Sequence, residues 1–163
     1  MVEQIYSDNI RKIFQNKKKI ETALNIKLSK KQGIVFIKGK AEDEHFGLQV
    51  IEAINLGFSV DKALLLKDEE FVFEKINIKD LTKRHDLERV RGRIIGTRGR
   101  ALDTLESLTD CYISLHDNSV GIIGKAEDIE NARYALERII QGSKHSNVYA
   151  YLEKKRAEEK QSF

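Results

Sequence analysis

The chain has 163 residues, 40% of them apolar and 34% charged, with a net charge of +3. This is the composition of a globular protein of one or two small domains that can bury a core. It carries no apolar run near the roughly 20 residues of a membrane span. No basic-then-apolar leader stands at Met1-Val2-Glu3-Gln4, and the single Cys111 cannot close an internal disulfide. Together these features predict a reducing intracellular compartment, the cytoplasm. Residues 82–100 hold +5 through Lys83, Arg84, Arg89, Arg91, Arg93, Arg98 and Arg100 against Asp86 and Glu88, which leaves −2 on the rest. Such a block is the electrostatic footprint of a surface for a phosphate-bearing partner.

In chain order, residues 2–6 read as a strand, and two short helices follow to about Leu24. Strands at 26–28 and 34–37 and a helix at 42–55 come next. Residues 59–66 read as a short connecting helix. The run Phe71-Val72-Phe73-Glu74-Lys75-Ile76-Asn77-Ile78 is rich in strand formers. Residues 86–95 form a short helix that Gly96 stops. Residues 100–108 form another, with Ala101, Leu102, Leu105 and Leu108 on its buried face. A turn at Thr109-Asp110 leads to a strand at 111–115, a turn at Asp117-Asn118 and a partner strand at 120–123. Residues 126–141 are a long helix with Ile129, Ala132, Leu136, Ile139 and Ile140 at helical spacing, stopped by Gly142. A terminal helix covers 147–160, its Lys154, Lys155 and Arg156 mixed with Glu153, Glu158 and Glu159 on a solvated face. Tyr112, Tyr134, Tyr149 and Tyr151 read as packing residues.

The sequence also repeats itself. Gly39-Lys40-Ala41-Glu42-Asp43 recurs as Gly124-Lys125-Ala126-Glu127-Asp128, an offset of 85. The same offset pairs Ile20 with Leu105, Leu28 with Ile113, Ile37 with Ile122, Ile51 with Leu136 and Gly57 with Gly142. Two copies of one fold follow, with a junction near Lys67-Asp68-Glu69-Glu70.

The chemistry gathers in Arg93-Ile94-Ile95-Gly96-Thr97-Arg98-Gly99-Arg100. Two glycines two residues apart leave bare main chain, which a phosphodiester backbone can approach while arginines neutralise it. Subtracting 85 from Gly96–Gly99 lands on Arg11-Lys12-Ile13-Phe14, so the first copy lacks both glycines and is expected to have lost this contact. Of Ile94 and Ile95, at least one belongs to the core.

These residues resemble the eukaryotic-type (type I) KH domain: an apolar residue at Ile95, then Gly96–Gly99, then Leu102 and Leu105, with Thr109 before the next strand and Ile113 within it. The connector Gly57-Phe58-Ser59 leading to Lys62-Ala63-Leu64, the segment Arg91-Gly92-Arg93-Ile94-Ile95-Gly96, and the ending Gly142-Ser143-Lys144-His145-Ser146-Asn147-Val148-Tyr149 narrow the resemblance. They are similar to archaeal members of the Dim-two or partner-of-Nob-one family. Asp110 and Cys111 depart from the usual Gly-Ala, and Lys144 stands where the family has Pro.

The resemblance implies an α+β chain of two tandem type I KH domains, each a three-stranded sheet with helices on one face, plus a C-terminal helix. Residues 1–68 would be a degenerate copy, 69–145 the KH domain with its GxxG loop, and 146–163 the terminal helix and tail. It implies single-stranded RNA near the 3′ end of the small-subunit rRNA as ligand. The processing endonuclease, the rRNA dimethyltransferase and the alpha subunit of translation initiation factor two are its implied partners. About four nucleotides would lie on the clamp, against Gly96, Thr97, Arg98 and Gly99. Arg98 and Arg100 would meet phosphates, Arg91 and Arg93 would form a second tier, and Ile95, Leu102 and Ile113 the groove floor. Bases would be read along the strand edge at 112–114.

A KH protein of RNA decay or mRNA regulation, and a protein-interaction scaffold, are the alternative readings. No enzyme is expected. The glycine loop is no Walker sequence, His45, His85, His116 and His145 lack metal-ligand spacing, and one cysteine cannot build a zinc cage. No cofactor is implied.

Overall fold

The structure, a computed structural model, describes residues 2–161 of the chain. These form two compact units that divide between Phe73 and Glu74. Among the described residues no helix is long and apolar enough to cross a membrane, and no group of three or more His, Cys, Asp or Glu is placed to hold a metal.

The first unit runs β1 (Val2–Tyr6), α1 (Ile10–Gln15), α2 (Lys17–Leu24), β2 (Lys27–Lys31), β3 (Ile34–Lys38), α3 (Ala41–Asn55) and α4 (Val60–Ala63), which continues as a 3-10 turn, Leu64–Lys67. Its sheet has the order β1-β3-β2, antiparallel throughout, with Val35 opposite both Ile5 and Lys30. Alternation along β3 turns Val35 and Ile37 into the core. There they join Ile13, Ile20, Val50, Ile51 and Ile54, all fully buried. Each such side chain contributes roughly 1.5–3 kcal/mol of burial. Three acids in the first turn of α3, Glu42, Asp43 and Glu44, oppose its positive end.

The second unit runs β4 (Phe71–Asn77), α5 (Ile78–Leu81), α6 (Leu87–Ile95), a 3-10 turn Thr97–Gly99, α7 (Arg100–Thr109), β5 (Tyr112–His116), β6 (Ser119–Lys125), α8 (Ala126–Ile140) and α9 (His145–Gln161). β4 begins just ahead of the boundary drawn at residue 73. The strand order β4-β6-β5 repeats that of the first sheet. Ile122, Ile123, Leu136, Ile139 and Leu105 fill the core. The helix α5 went unread in the sequence. It is a single turn in which the Asn77 side chain accepts from the Lys79 N–H.

The two units share small devices as well as topology. In each, a glutamate reaches across to the next strand: Glu21 accepts from the Leu28 N–H at 2.8 Å, and Glu106 from the Ile113 N–H at 3.0 Å. In each, the helix ahead of that strand ends on a left-handed residue, Asn25 or Asp110. Asn and Asp tolerate that conformation best after glycine, so Asp110 serves where the family pattern has Gly. Cys111 packs against Gly124, where an added Cβ would come within 2.4 Å of its sulfur. Burial pushes the Cys111 thiol up to about 12, so it is a packing group rather than a nucleophile.

Three sequence expectations change here. First, residues 11–14 are not the counterpart of the 96–99 turn, where the offset of 85 put them. They lie inside α1, and the link from α1 to α2 is Asn16 alone. The ungapped offset misaligned them because α1 has 6 residues and α6 has 9. No four-residue loop stands between α1 and α2. Second, on α7 only Leu105 and Thr109 are buried, while Ala101, Leu102 and Leu108 are half-buried. Third, the terminal helix is not solvated all round. Arg156 donates to the Ser107 carbonyl at 2.6 Å and faces Asp110, and Glu159 accepts from Asn131 at 3.2 Å. Tyr134 stacks on Tyr151 at 4.4 Å between ring centroids yet remains 40% exposed, as does Tyr112.

Candidate nucleic-acid interface

The helix α6 cannot run past Ile95 because Gly96 takes φ 76°, a left-handed value that side chains resist. Its N–H still closes on the Gly92 carbonyl at 2.8 Å. An added Cβ at Gly96 would meet the Ala101 Cβ at 2.6 Å and the Ala101 nitrogen at 2.7 Å. The first glycine is therefore demanded by the chain's own packing, where the loop folds back on the start of α7. Gly99 is different. It also has a positive φ, 75°, but a Cβ there would meet nothing within 4 Å. Between them Arg98 sits at φ 57° with its side chain in solvent, and Thr97 and Arg100 are exposed too. The turn is thus a bare, outward-facing stretch of backbone flanked by two guanidinium groups. Successive N–H groups in such a turn suit an anion.

Next to this turn a cleft of about 270 Å3 opens between α6 and the β5–β6 hairpin, lined by Glu88, Arg91, Gly92, Ile95, Leu115 and Asp117. Ile95 is 38% exposed, whereas Ile94 beside it is fully buried. Of the two apolar residues ahead of the loop, one faces the cleft and the other the core, as a 100° step between helix neighbours requires. Arg91 is half-buried and donates to the Asp117 carbonyl at 3.3 Å.

The other expected site residues fall elsewhere. Ile113 is 5% exposed and belongs to the core. Leu115, two positions along and therefore on the same face of β5, is the strand residue that reaches the cleft. Leu102 is half-buried and is not among the residues lining the cleft. Arg93 is the main correction. Its guanidinium donates to the Ile139 carbonyl at 2.7 Å and the Ser143 carbonyl at 2.5 Å, while its own carbonyl meets His145 Nε2 at 2.7 Å. It ties the last turn of α6 to the end of α8 and the start of α9, adding a charged donor to the Ile139 carbonyl, which also accepts from the Gly142 N–H at 3.1 Å. A charge count along the sequence cannot separate this arginine from those in solvent. Glu88 and Asp117 on the cleft walls were also missed, because the first is one acid inside a basic block and the second reads as a turn residue.

Two further observations place the chain among known proteins. The family model for the eukaryotic type KH-domain (KH-domain type I), in its form for the second such domain of PNO1, matches residues 72–157. The chain belongs to the PNO1/Dim2 family of KH-domain proteins. A KH domain-containing protein of Methanocaldococcus jannaschii is 33% identical over 147 residues, covering 86% of this chain and 65% of that protein. RNA-binding protein pno1 of Drosophila melanogaster is 39% identical over 109 residues, covering 65% of this chain and 45% of that one. The chain therefore spans about two thirds of the first relative and under half of the second. Among solved structures, Dim2p from Pyrococcus horikoshii OT3 has a TM-score of 0.86 at 33% identity, covering 94% of this chain and 99% of its own. The same organism's a/eIF2alpha-aDim2p-rRNA complex includes a chain with a TM-score of 0.89 at 32% identity, covering 97% and 95%. His145, which belongs to the family's ending, has a structural duty here as the partner of the Arg93 carbonyl.

Proposed function

We propose that this chain binds single-stranded RNA through its second unit and acts in assembly of the small ribosomal subunit, near the 3′ end of its rRNA. The observation that carries the reading is the turn at 96–99, where Gly99 presents open main chain beside an apolar-walled cleft. Thr97, Arg98 and Gly99 meet the strand's backbone, Arg98 and Arg100 neutralise its phosphates, and Arg91 holds the cleft wall. Bases lie against Ile95 and Leu115, beside β5, the outer strand of its sheet. Other members of the family bear the name pre-rRNA-processing protein PNO1, and the Pyrococcus relative has been crystallised with rRNA and a/eIF2alpha. From these and from the resemblance come the proposed partners: the alpha subunit of translation initiation factor two, the processing endonuclease and the rRNA dimethyltransferase. The role is binding rather than catalysis, in the cytoplasm.

The first unit reads as a degenerate type I KH copy, residues 1–68. Support comes from its strand order, its Glu21 bridge to Leu28 and its left-handed Asn25. Residues 69–145 form the KH domain proper and 146–163 its helical extension. Without the loop, the first copy has no bare turn for a phosphodiester backbone.

Crosslinking in cell extract with sequencing of the bound RNA tests the assignment. Reads should concentrate at the 3′ end of the small-subunit rRNA. Enrichment on messenger RNA instead would move the protein to another KH pathway.

Gly92 offers a second test. It lies inside α6, where glycine costs roughly 0.5–1 kcal/mol against alanine, yet a Cβ there would meet nothing within 4 Å. The protein's own packing does not require it, while a ligand backbone lying in the cleft would. Gly92→Ala should raise the stability of the unit by about that amount and weaken RNA binding by about threefold or more. Equal affinity in both proteins would place the strand away from this turn of the helix.

A further inference from the structure

We infer that the N-terminal end of α6 carries a second nucleotide subsite, so that the strand held by this unit extends beyond the roughly four nucleotides of the clamp. The inference rests on the RNA-binding reading above. Glu88, Arg91 and Asp117, which wall the small cleft, also wall a second one of about 830 Å3 whose further lining includes His85, Leu87 and Arg89. The two open into one trough along α6. From Ile95 to Leu87 that helix advances about 12 Å at its ordinary rise. Where the clefts meet, the hydrogen bond from Arg91 to the Asp117 carbonyl ties helix to hairpin and fixes their separation.

The lining selects the ligand. Arg89 is an exposed cation and His85 an exposed ring with an N–H to donate, both able to meet a phosphate, and Leu87 is a half-buried apolar contact. Asp86, Glu88 and Asp117 would repel a lone anion held in this space. A nucleotide reconciles the two sets, since its phosphate turns to Arg89 and His85 and the amino hydrogens of its base to the carboxylates. The first unit has no counterpart of this wall. The second unit spends residues 78–86 on α5 and the segment after it, whereas in the first unit α1 starts at Ile10, directly after β1 ends at Tyr6.

The experiment measures affinity of the full chain for random-sequence RNA of 4, 6, 8 and 10 nucleotides, with His85→Ala/Arg89→Ala as the variant. Both side chains are exposed, so the variant should fold, and circular dichroism checks this. The wild type should gain about tenfold between the 4-mer and the 8-mer. The double variant should match it on the 4-mer and lose most of that gain, the extra registers of a longer oligomer counting equally for both proteins. A gain retained by the folded variant, or no gain in the wild type, overturns the subsite and leaves the clamp standing. Failure of every length to bind overturns the clamp and the subsite together.

Discussion

Replacing Thr97 and Arg98 together with Asp should lower affinity for single-stranded RNA by about 100-fold at moderate salt, and leave the fold intact. Both side chains point into solvent from a turn that nothing else covers, so the substitution removes no packing. Arg98 is at φ 57°, a left-handed value that Asp tolerates nearly as well as any non-glycine residue, so backbone strain does not confuse the outcome. The change converts a local cation and a neutral group into two anions where phosphates would lie. Fluorescence anisotropy over a salt series is the measurement. The variant should show both weaker binding and a shallower dependence on salt, because fewer counterions are released. A folded double variant that binds like the wild type would remove the turn from the interface.

The second large effect concerns an arginine from the same block that does something else. Arg93→Ala should destabilise the second unit by about 2–4 kcal/mol, because it strips the Ile139 and Ser143 carbonyls of a charged donor. In a unit of this size the melting temperature should fall by about 10–20 °C. RNA affinity, measured well below that temperature, should stay within about twofold of the wild type. Arg93→Lys should recover little, since one ammonium cannot serve two divergent carbonyls as a planar fork does. An Arg93→Ala protein that melts normally yet binds RNA poorly would return this residue to the binding surface.

The contrast between Arg98 and Arg93 marks where a sequence stops informing. Gly96 and Gly99 were legible because glycine takes positive φ freely and carries no side chain, and a bare turn is a local property of a few residues. The common strand order of the two units was legible too, since apolar residues at a constant offset point to like elements burying them. Strand and helix order followed from periodicity, and the assignment of one isoleucine of the 94–95 pair to the core followed from helical geometry.

What the tertiary structure decided is where each polar or apolar side chain ends. The acceptors of Arg93 lie 46 and 50 residues further along the chain, and the Ser107 carbonyl that takes Arg156 lies 49 residues before it. Ile113 and Leu115 share one face of β5, and only the elements above them determine that the first is covered and the second meets the cleft. The absence of the loop from the first unit required helix lengths that an ungapped alignment conceals. A charge or a methyl group is a property of the residue. Its solvation and its partner belong to the surroundings that distant segments build around it, and that separates an arginine that ties helices together from one left in solvent.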